Sequence, residues 1–194
     1  MGDAAGRAPS GGPARAAVSV DTPERMRELG RRLAGLLRPG DLVLLTGELG
    51  AGKTTLARGL GEGLDVRGAV TSPTFVIARV HPPLGDGPAL VHVDAYRLGG
   101  GLDEMDDLDL DVSLTDSVVV VEWGEGRVEE LSEDRLHVVI DRATGADART
   151  GTGAGGDTGA GAGTDGADAA DVRQVAVTGV GARWAGADLR ALER

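Results

Sequence analysis

The sequence predicts an α/β fold of three layers, in which a mixed, mostly parallel central sheet lies between helices and gains antiparallel strands late in the chain. Segments with apolar residues at helical spacing alternate with short apolar runs typical of strands. Residues 42–46 form a continuous apolar run, and a glycine-rich turn joins it to a helical segment from Lys53 to about Leu64. Residues 135–140 and 172–177 flank a glycine-rich stretch and favour an antiparallel hairpin.

The remaining elements follow the same alternation. Residues 17–20 predict a short strand, and Thr22 followed by Pro23 predicts a helix start, because threonine caps and proline suits the first helical position. Leucines at helical spacing continue towards Pro39 and Gly40, which end that helix. Residues 75–80 and 89–94 predict two strands of a turn-rich hairpin, and the four valines at 118–121 predict a buried strand.

Two compositionally biased stretches set the domain limits. Residues 1–16 lack apolar periodicity and predict a disordered N-terminal tail. Residues 143–170 alternate glycine with small residues and predict a flexible, Gly/Ala-rich insertion, because such a segment buries too little surface to offset its ordering entropy. The rest of 17–194 is predicted to be a single domain with one core.

Composition excludes several classes of function. The 194 residues contain no cysteine, which excludes thiolate catalysis and Cys-based zinc sites. The net charge of −11 disfavours broad contact with a phosphate backbone, so we expect the chain neither to bind DNA nor to bind RNA directly. No apolar run approaches the roughly 20 residues that a membrane span needs, and the expected setting is the cytoplasm.

The turn after residues 42–46 carries a phosphate-binding pattern. It reads Gly-Glu-Leu-Gly-Ala-Gly-Lys-Thr and matches G-x-x-x-x-G-K-[ST] between a predicted strand and a predicted helix. Its glycines permit backbone conformations that aim successive amides at one anion, and the helix adds its positive end. The sequence therefore predicts a P-loop NTPase-like domain with these nucleotide-binding residues: Gly47, Glu48, Leu49, Gly50, Ala51, Gly52, Lys53, Thr54 and Thr55.

Lys53 is the only lysine beside 19 arginines, and it occupies the position whose ammonium contacts the β and γ phosphates. The Thr54 hydroxyl is the corresponding Mg²⁺ ligand. Guanine-specific GTPases usually carry an Asn-Lys-x-Asp element, which a chain with one lysine lacks. ATP is therefore favoured over GTP.

Metal binding and water activation also require carboxylates near the loop. Asp94 follows residues 89–93, and Glu122 follows the four valines, so both stand at the ends of apolar strands. Together they are predicted to hold Mg²⁺ and to orient the attacking water. The spacing alone leaves open which of the two is the direct metal ligand.

These elements together resemble the TsaE family of P-loop ATPases, from about Val18 to Asp141 and again from Val172. Four motifs carry the resemblance, with order and spacing that agree with the family. They are the loop from Gly47 to Thr55, then Ser72-Pro73-Thr74-Phe75, then His92-Val93-Asp94-Ala95-Tyr96-Arg97-Leu98, and finally Glu122-Trp123.

The resemblance implies roles for individual residues. It makes Thr54 and Glu122 the Mg²⁺ ligands, Asp94 the catalytic carboxylate beside Lys53, and Thr22 a neighbour of the nucleotide base. It also implies a switch-like segment coupled to partners, with Trp123 beside the metal site. The residues of this partner-coupled set are Ser72, Pro73, Thr74, Phe75, Tyr96, Arg97 and Trp123.

The resemblance further implies a Mg²⁺-dependent ATPase that supports turnover of a TsaB–TsaD complex in tRNA threonylcarbamoyladenosine modification, with tRNA met only through that complex. The sequence shows no obvious arginine finger, although Arg97 is a candidate, so we expect slow hydrolysis alone and faster hydrolysis with the partners. Two alternatives stay open. A small-molecule kinase would fit the loop, although residues 143–170 make a poor lid, and a non-hydrolysing ATP sensor would need only binding.

Overall fold

The computed structural model describes residues 14–73, 77–97, 115–126, 132–142 and 172–194. The predicted insertion at 143–170 lies outside the described residues, as do residues 1–13 of the predicted tail. The strands and helices of the described chain are β1 (Arg15–Val20), α1 (Pro23–Ala34), β2 (Leu42–Gly47), α2 (Lys53–Gly63), β3 (Ala78–His81), β4 (Ala89–Asp94), β5 (Ser117–Glu122), β6 (Arg135–Arg142) and β7 (Arg173–Val180).

The strands form one seven-stranded sheet in the order β1-β7-β6-β2-β5-β4-β3. The four central strands, β6, β2, β5 and β4, are parallel to one another, and antiparallel pairs lie at both edges. The predicted hairpins β3–β4 and β6–β7 are confirmed. The fold is therefore a mixed α/β fold whose sheet is parallel in the middle, but the antiparallel strands are not confined to the end of the chain.

The predicted starts of β1 and β3 are wrong. β1 begins at Arg15, so Arg15 and Ala16 pair with β7 and do not belong to the N-terminal tail. The strand predicted from residue 75 begins at Ala78, because Ile77 has a φ of 67° and its amide donates to the carbonyl of Pro73 at 2.7 Å. That turn places Ile77 outside the strand.

Helix α1 begins as predicted. The hydroxyl of Thr22 accepts a hydrogen bond from the amide of Arg25 at 3.2 Å, and Pro23 is the first helical residue. The helix ends at Ala34, earlier than the Pro39-Gly40 pair that was expected to stop it. Its amphipathic pattern buries one face, where Met26 and Leu33 contact the core.

Alternating residues of the central strands face two separate clusters. Val43 and Leu45 of β2 face the cluster formed with α1 and α2, whereas Leu42 and Leu44 face the other side of the sheet, with valines of β4 and β5. Both α-helices in the described part of the chain thus cover the same face. The described residues place no α-helix on the other face, so the three-layer arrangement remains a prediction.

The two helices approach each other through glycines. A Cβ on Gly30 would overlap the carbonyl oxygen of Leu56, and one on Gly59 would overlap that of Arg27. The two helix backbones therefore lie in direct contact on one face of the sheet. None of the described helices is long and apolar enough to cross a membrane.

Candidate nucleotide site at the strand ends

The loop between β2 and α2 is shaped by three glycines in conformations that side chains rarely adopt. The φ values are 154° at Gly47, 76° at Gly50 and 113° at Gly52. At Gly47 a Cβ would also lie 2.5 Å from the carbonyl oxygen of Ile140 on the neighbouring strand. The sequence pattern therefore corresponds to a backbone that other residues could not follow without strain.

Lys53, the first residue of α2, is buried with 4% of its surface exposed. Its Nζ donates to the carbonyls of Gly47 at 2.8 Å and Glu48 at 3.0 Å, and an ammonium has three N–H groups. Burial lowers the pKa of Lys53, an effect that the charges of Glu122 and Asp94 oppose. A buried cation of this kind fits an anionic ligand, which would compensate its desolvation.

The carboxylate at the end of β5 contacts a threonine in the first turn of α2. The hydroxyl of Thr54 lies 3.0 Å from Oε1 and 3.2 Å from Oε2 of Glu122. Glu122 is buried, with 3% of its surface exposed. It lies 68 positions after Thr54 in the chain, so only the fold brings the two residues together. The structure thus brings together the two residues predicted to hold a metal.

Asp94 lies beside Glu122, because the parallel register of β4 and β5 pairs these two positions. Oδ1 of Asp94 accepts the amide of Tyr96 at 3.0 Å, and Oδ2 lies 3.4 Å from the hydroxyl of Ser72. The carboxylate is 3% exposed and lines the cavity at the loop. Ser72 thereby connects the predicted switch segment to the carboxylate.

Trp123 lines the same cavity and forms an aromatic pair with Tyr96. Trp123 has a φ of 63°, and its ring centroid lies 3.6 Å from Nζ of Lys53, a cation–π contact. Tyr96 contacts this indole with ring centroids 5.3 Å apart and is 64% exposed. The backbone turn at Trp123 directs the indole over the lysine.

The cavity has a volume of about 220 Å³ and is lined by predicted site residues: Leu49, Gly50, Gly52, Lys53, Thr54, Thr55, Ser72, Asp94, Glu122 and Trp123. A smaller cavity of about 80 Å³ adjoins it and shares Gly50, Gly52 and Thr55. Thr22 lines this second cavity, with Pro23 and Met26. The structure thus places Thr22 beside the loop.

The other predicted residues are placed as follows. Ala51 is buried and its amide donates to the carbonyl of Glu48 at 3.1 Å, while Pro73 precedes the turn at Ile77. Thr74 and Phe75 lie outside the described residues. Arg97 ends a short 3₁₀ turn, and its side chain lies outside the described part of the structure.

The oxygen atoms of Thr54 and Glu122 are suited to Mg²⁺, both in ligand type and in number. The described residues contain no group of three or more His, Asp or Glu side chains arranged around one metal position. Mg²⁺ usually keeps several waters and takes only one or two protein carboxylates, with the remaining positions filled by phosphate oxygens. One hydroxyl and one carboxylate are therefore enough, and Thr54 with Glu122 supply them.

Sequence reasoning assigned no role to three side chains at this site. His92 is fully buried and its Nε2 lies 2.8 Å from Oε1 of Glu122. Its position two residues before Asp94, on the same side of β4, was the signal that could have identified it. Arg142 and Arg173 donate to loop carbonyls, and only the pairing of β6 with β7 brings them there.

Comparison with known proteins gives a consistent result. The model of the TsaE family, described as threonylcarbamoyl adenosine biosynthesis protein TsaE, matches residues 20–150. A Streptomyces coelicolor protein named tRNA threonylcarbamoyladenosine biosynthesis protein TsaE is 71% identical over 168 residues, which cover 86% of this chain and 99% of that protein. A Bacillus subtilis protein of the same name is 41% identical over 129 residues, 66% of this chain and 77% of that protein.

A solved structure shows the same likeness. The crystal structure of Bacillus subtilis YdiB superposes with a TM-score of 0.60 at 31% sequence identity, and the match covers 90% of this chain and 92% of that one. The family match spans all four motifs on which the resemblance was based, from the phosphate loop to Glu122-Trp123. The chain therefore belongs to the TsaE family.

Proposed function

We propose that this chain binds ATP with Mg²⁺ and hydrolyses it in support of tRNA threonylcarbamoyladenosine biosynthesis. The observation that carries the proposal is the contact between Thr54 and Glu122, with oxygen-to-oxygen distances of 3.0 and 3.2 Å. It joins the hydroxyl of a phosphate-binding loop to a strand-end carboxylate, which is the donor pair that magnesium–nucleotide sites use. The family membership gives the pathway.

The loop residues would hold the phosphates. The third N–H of Lys53 and the amides at the start of α2 are suited to the β and γ oxygens. Magnesium bound by Thr54 and Glu122 would supply charge neutralisation on those oxygens. The apolar strands behind the carboxylates exclude water from the rear of the site, which strengthens these interactions.

Asp94 is the group proposed to handle the proton. Water attacks the γ phosphorus, the bond to the bridging oxygen of ADP breaks, and the proton of the water passes to a carboxylate oxygen of Asp94. The hydrogen bond from the amide of Tyr96 to Oδ1 fixes the orientation of the carboxylate. Its place next to Glu122 in the sheet register supports the assignment.

We further propose that the fold is a P-loop NTPase sandwich with helices on both faces of the sheet. The proposed partners are TsaB and TsaD, with tRNA encountered only through them, in a cytoplasmic setting. Tyr96, which is exposed and contacts Trp123, and the segment from Ser72 are the proposed partner-coupled residues. Hydrolysis is expected to be slow alone and faster with the partners.

Calorimetry with ATP tests the binding step. The wild-type chain is expected to bind ATP in the presence of Mg²⁺, and Lys53→Ala is expected to abolish that binding. Arg190→Ala is the matched control, because it removes one exposed positive charge from a 3₁₀ turn near the C-terminus. Absence of magnesium-dependent binding by the wild type would overturn the proposal.

Turnover measurements then separate hydrolysis from the alternatives. Asp94→Asn is expected to retain ATP binding while the rate falls by about 100-fold or more, the range for loss of a general base. Adding TsaB and TsaD should accelerate phosphate release by the wild type. Equal rates with and without them, or a phosphorylated metabolite formed with ADP, would contradict the proposal. If Asp94→Asn lost hydrolysis but still bound and released TsaB and TsaD as the wild type does, the chain would instead be an ATP sensor.

A further inference from the structure

The outer side of the phosphate loop is held by two arginines from one hairpin. Arg142 is the last residue of β6, Arg173 is the first of β7, and the strand register pairs the two directly. Nη2 of Arg142 donates to the carbonyl of Gly50 at 3.1 Å, and Nε of Arg173 donates to that of Ala51 at 3.1 Å. Two consecutive carbonyls of the loop thus each accept a hydrogen bond from one of two neighbouring guanidinium groups.

The planarity of the peptide bond gives these contacts a consequence for ligand binding. In a trans peptide the carbonyl and the following amide point in opposite directions. Because the carbonyl of Ala51 accepts from Arg173, the amide of Gly52 points away from that guanidinium and is available to a ligand. Gly52 has a φ of 113°, so its backbone has alternatives that an ordinary residue lacks, and an external partner is needed to select one.

The guanidinium of Arg142 lies directly against the loop. A Cβ on Gly50 would lie 2.9 Å from Nη2 of Arg142, at the end of this exposed side chain. Arg173 also lines the small cavity that contains Thr22 and adjoins the main one. Both arginines place positive charge next to the loop in a chain whose net charge is −11.

We infer that Arg142 and Arg173 are positioning residues that hold the phosphate loop by two successive carbonyls and keep the amide of Gly52 directed at the nucleotide, so that the β6–β7 hairpin sets nucleotide affinity. This inference rests on the proposed ATP binding. Neither residue belongs to the sequence motifs of the loop, and Arg173 lies beyond the residues that the family model matches.

The role predicts a specific pattern of losses. ATP and ADP share the phosphates next to the loop, so the affinities for both should fall by the same factor. Since the loop amides bind ground state and transition state alike, KM should rise while kcat changes little. Arg173 is half-buried and Arg142 is exposed, and solvent screens the exposed contact more strongly.

The experiment measures ADP and ATP affinity by calorimetry, and KM and kcat by phosphate release, for Arg173→Ala, Arg142→Ala and the charge-conserving Arg173→Lys. We expect Arg173→Ala to weaken both nucleotides by about 10-fold and Arg142→Ala by about 3-fold, as for hydrogen bonds to charged groups. Arg173→Lys should recover part of the loss. Arg190→Ala removes the same charge away from the loop and should bind like the wild type.

The outcomes separate this inference from the proposed function. If the wild type binds ATP and the variants at Arg142 and Arg173 bind it with the same affinity, the inference is wrong. The proposed function is then still supported. Absence of wild-type binding would overturn both. An equal loss in Arg190→Ala would show a general charge effect and overturn the inference, and so would a fall in kcat without a change in KM. Thermal unfolding of each variant identifies any that fail to fold, in which case Arg142→Ala, on the exposed side, decides.

Discussion

His92 and Glu122 form a buried pair behind the candidate metal position, with Nε2 of the imidazole 2.8 Å from Oε1 of the carboxylate. The side chain of His92 has no exposed surface, and Nδ1 has no hydrogen-bond partner in the described part of the chain. Oε1 also lies 3.0 Å from the hydroxyl of Thr54. The orientation of Glu122 is therefore fixed from two sides before any ligand arrives.

This arrangement predicts that His92 controls metal affinity through Glu122. His92→Leu should raise the Mg²⁺ concentration that gives half-maximal ATP hydrolysis by about 10- to 100-fold, the usual effect of losing a partner of a metal ligand. His92→Gln can place an amide nitrogen near the Nε2 position and should restore most of the affinity. The measurement is a magnesium titration of turnover at saturating ATP, and an unchanged titration midpoint in His92→Leu would contradict the prediction.

The two tryptophans should report on different parts of the molecule. The ring of Trp123 makes a cation–π contact with Lys53 at the cavity. Trp184, by contrast, is 1% exposed and lies within the main core. Addition of ATP and Mg²⁺ should change the fluorescence of the wild type and of Trp184→Phe. The change should disappear in Trp123→Phe. A signal that followed Trp184 would instead place the nucleotide-dependent change in the core.

The crossing of α1 and α2 should tolerate no side chain at Gly59. Gly59→Ala would place a methyl group against the backbone of Arg27 and should lower the free energy of unfolding by about 2 kcal/mol, as overpacking does. Gly35→Ala is the control, because Gly35 has a helical φ of −64° and its Cβ would lie 3.4 Å from the nearest carbonyl. Urea unfolding checks both, and equal stabilities would contradict a close-packed crossing.

Buried His81 should make the fold less stable in mild acid. Burial lowers the pKa of His81 below its usual 6.5, with small contributions in the same direction from His92 and Arg79, while a backbone contact with Arg67 opposes the shift. Below about pH 6.5 the unfolded chain therefore binds a proton that the folded chain resists, and stability falls as the pH decreases towards the folded value.

The test compares urea unfolding at pH 7.5 and pH 5 for the wild type and His81→Leu. The wild type should lose more stability than the variant between these values, because only the wild type carries the imidazole. An identical loss in both proteins would show that other groups cause the acid sensitivity.

The sequence indicated most strands and the start of both helices, because these depend on local patterns. Thr22 before Pro23 marked the beginning of α1, and residues 89–94 were predicted with the bounds of β4. Ile77 shows the limit of such patterns. Its β-branched side chain favours a strand, but the turn made with Pro73 requires a left-handed backbone that only the folded context selects.

The candidate site divides in the same way. The residues of the loop, the lone lysine and the two strand-end carboxylates could be recognised in the sequence, since each is marked by its neighbours along the chain. The contacts of Glu122 with His92 and of the loop with Arg142 and Arg173 could not, because they join residues brought together only by strand order and register. Local conformational preferences are written in adjacent residues, whereas long-range hydrogen bonds depend on which strands become neighbours in the sheet.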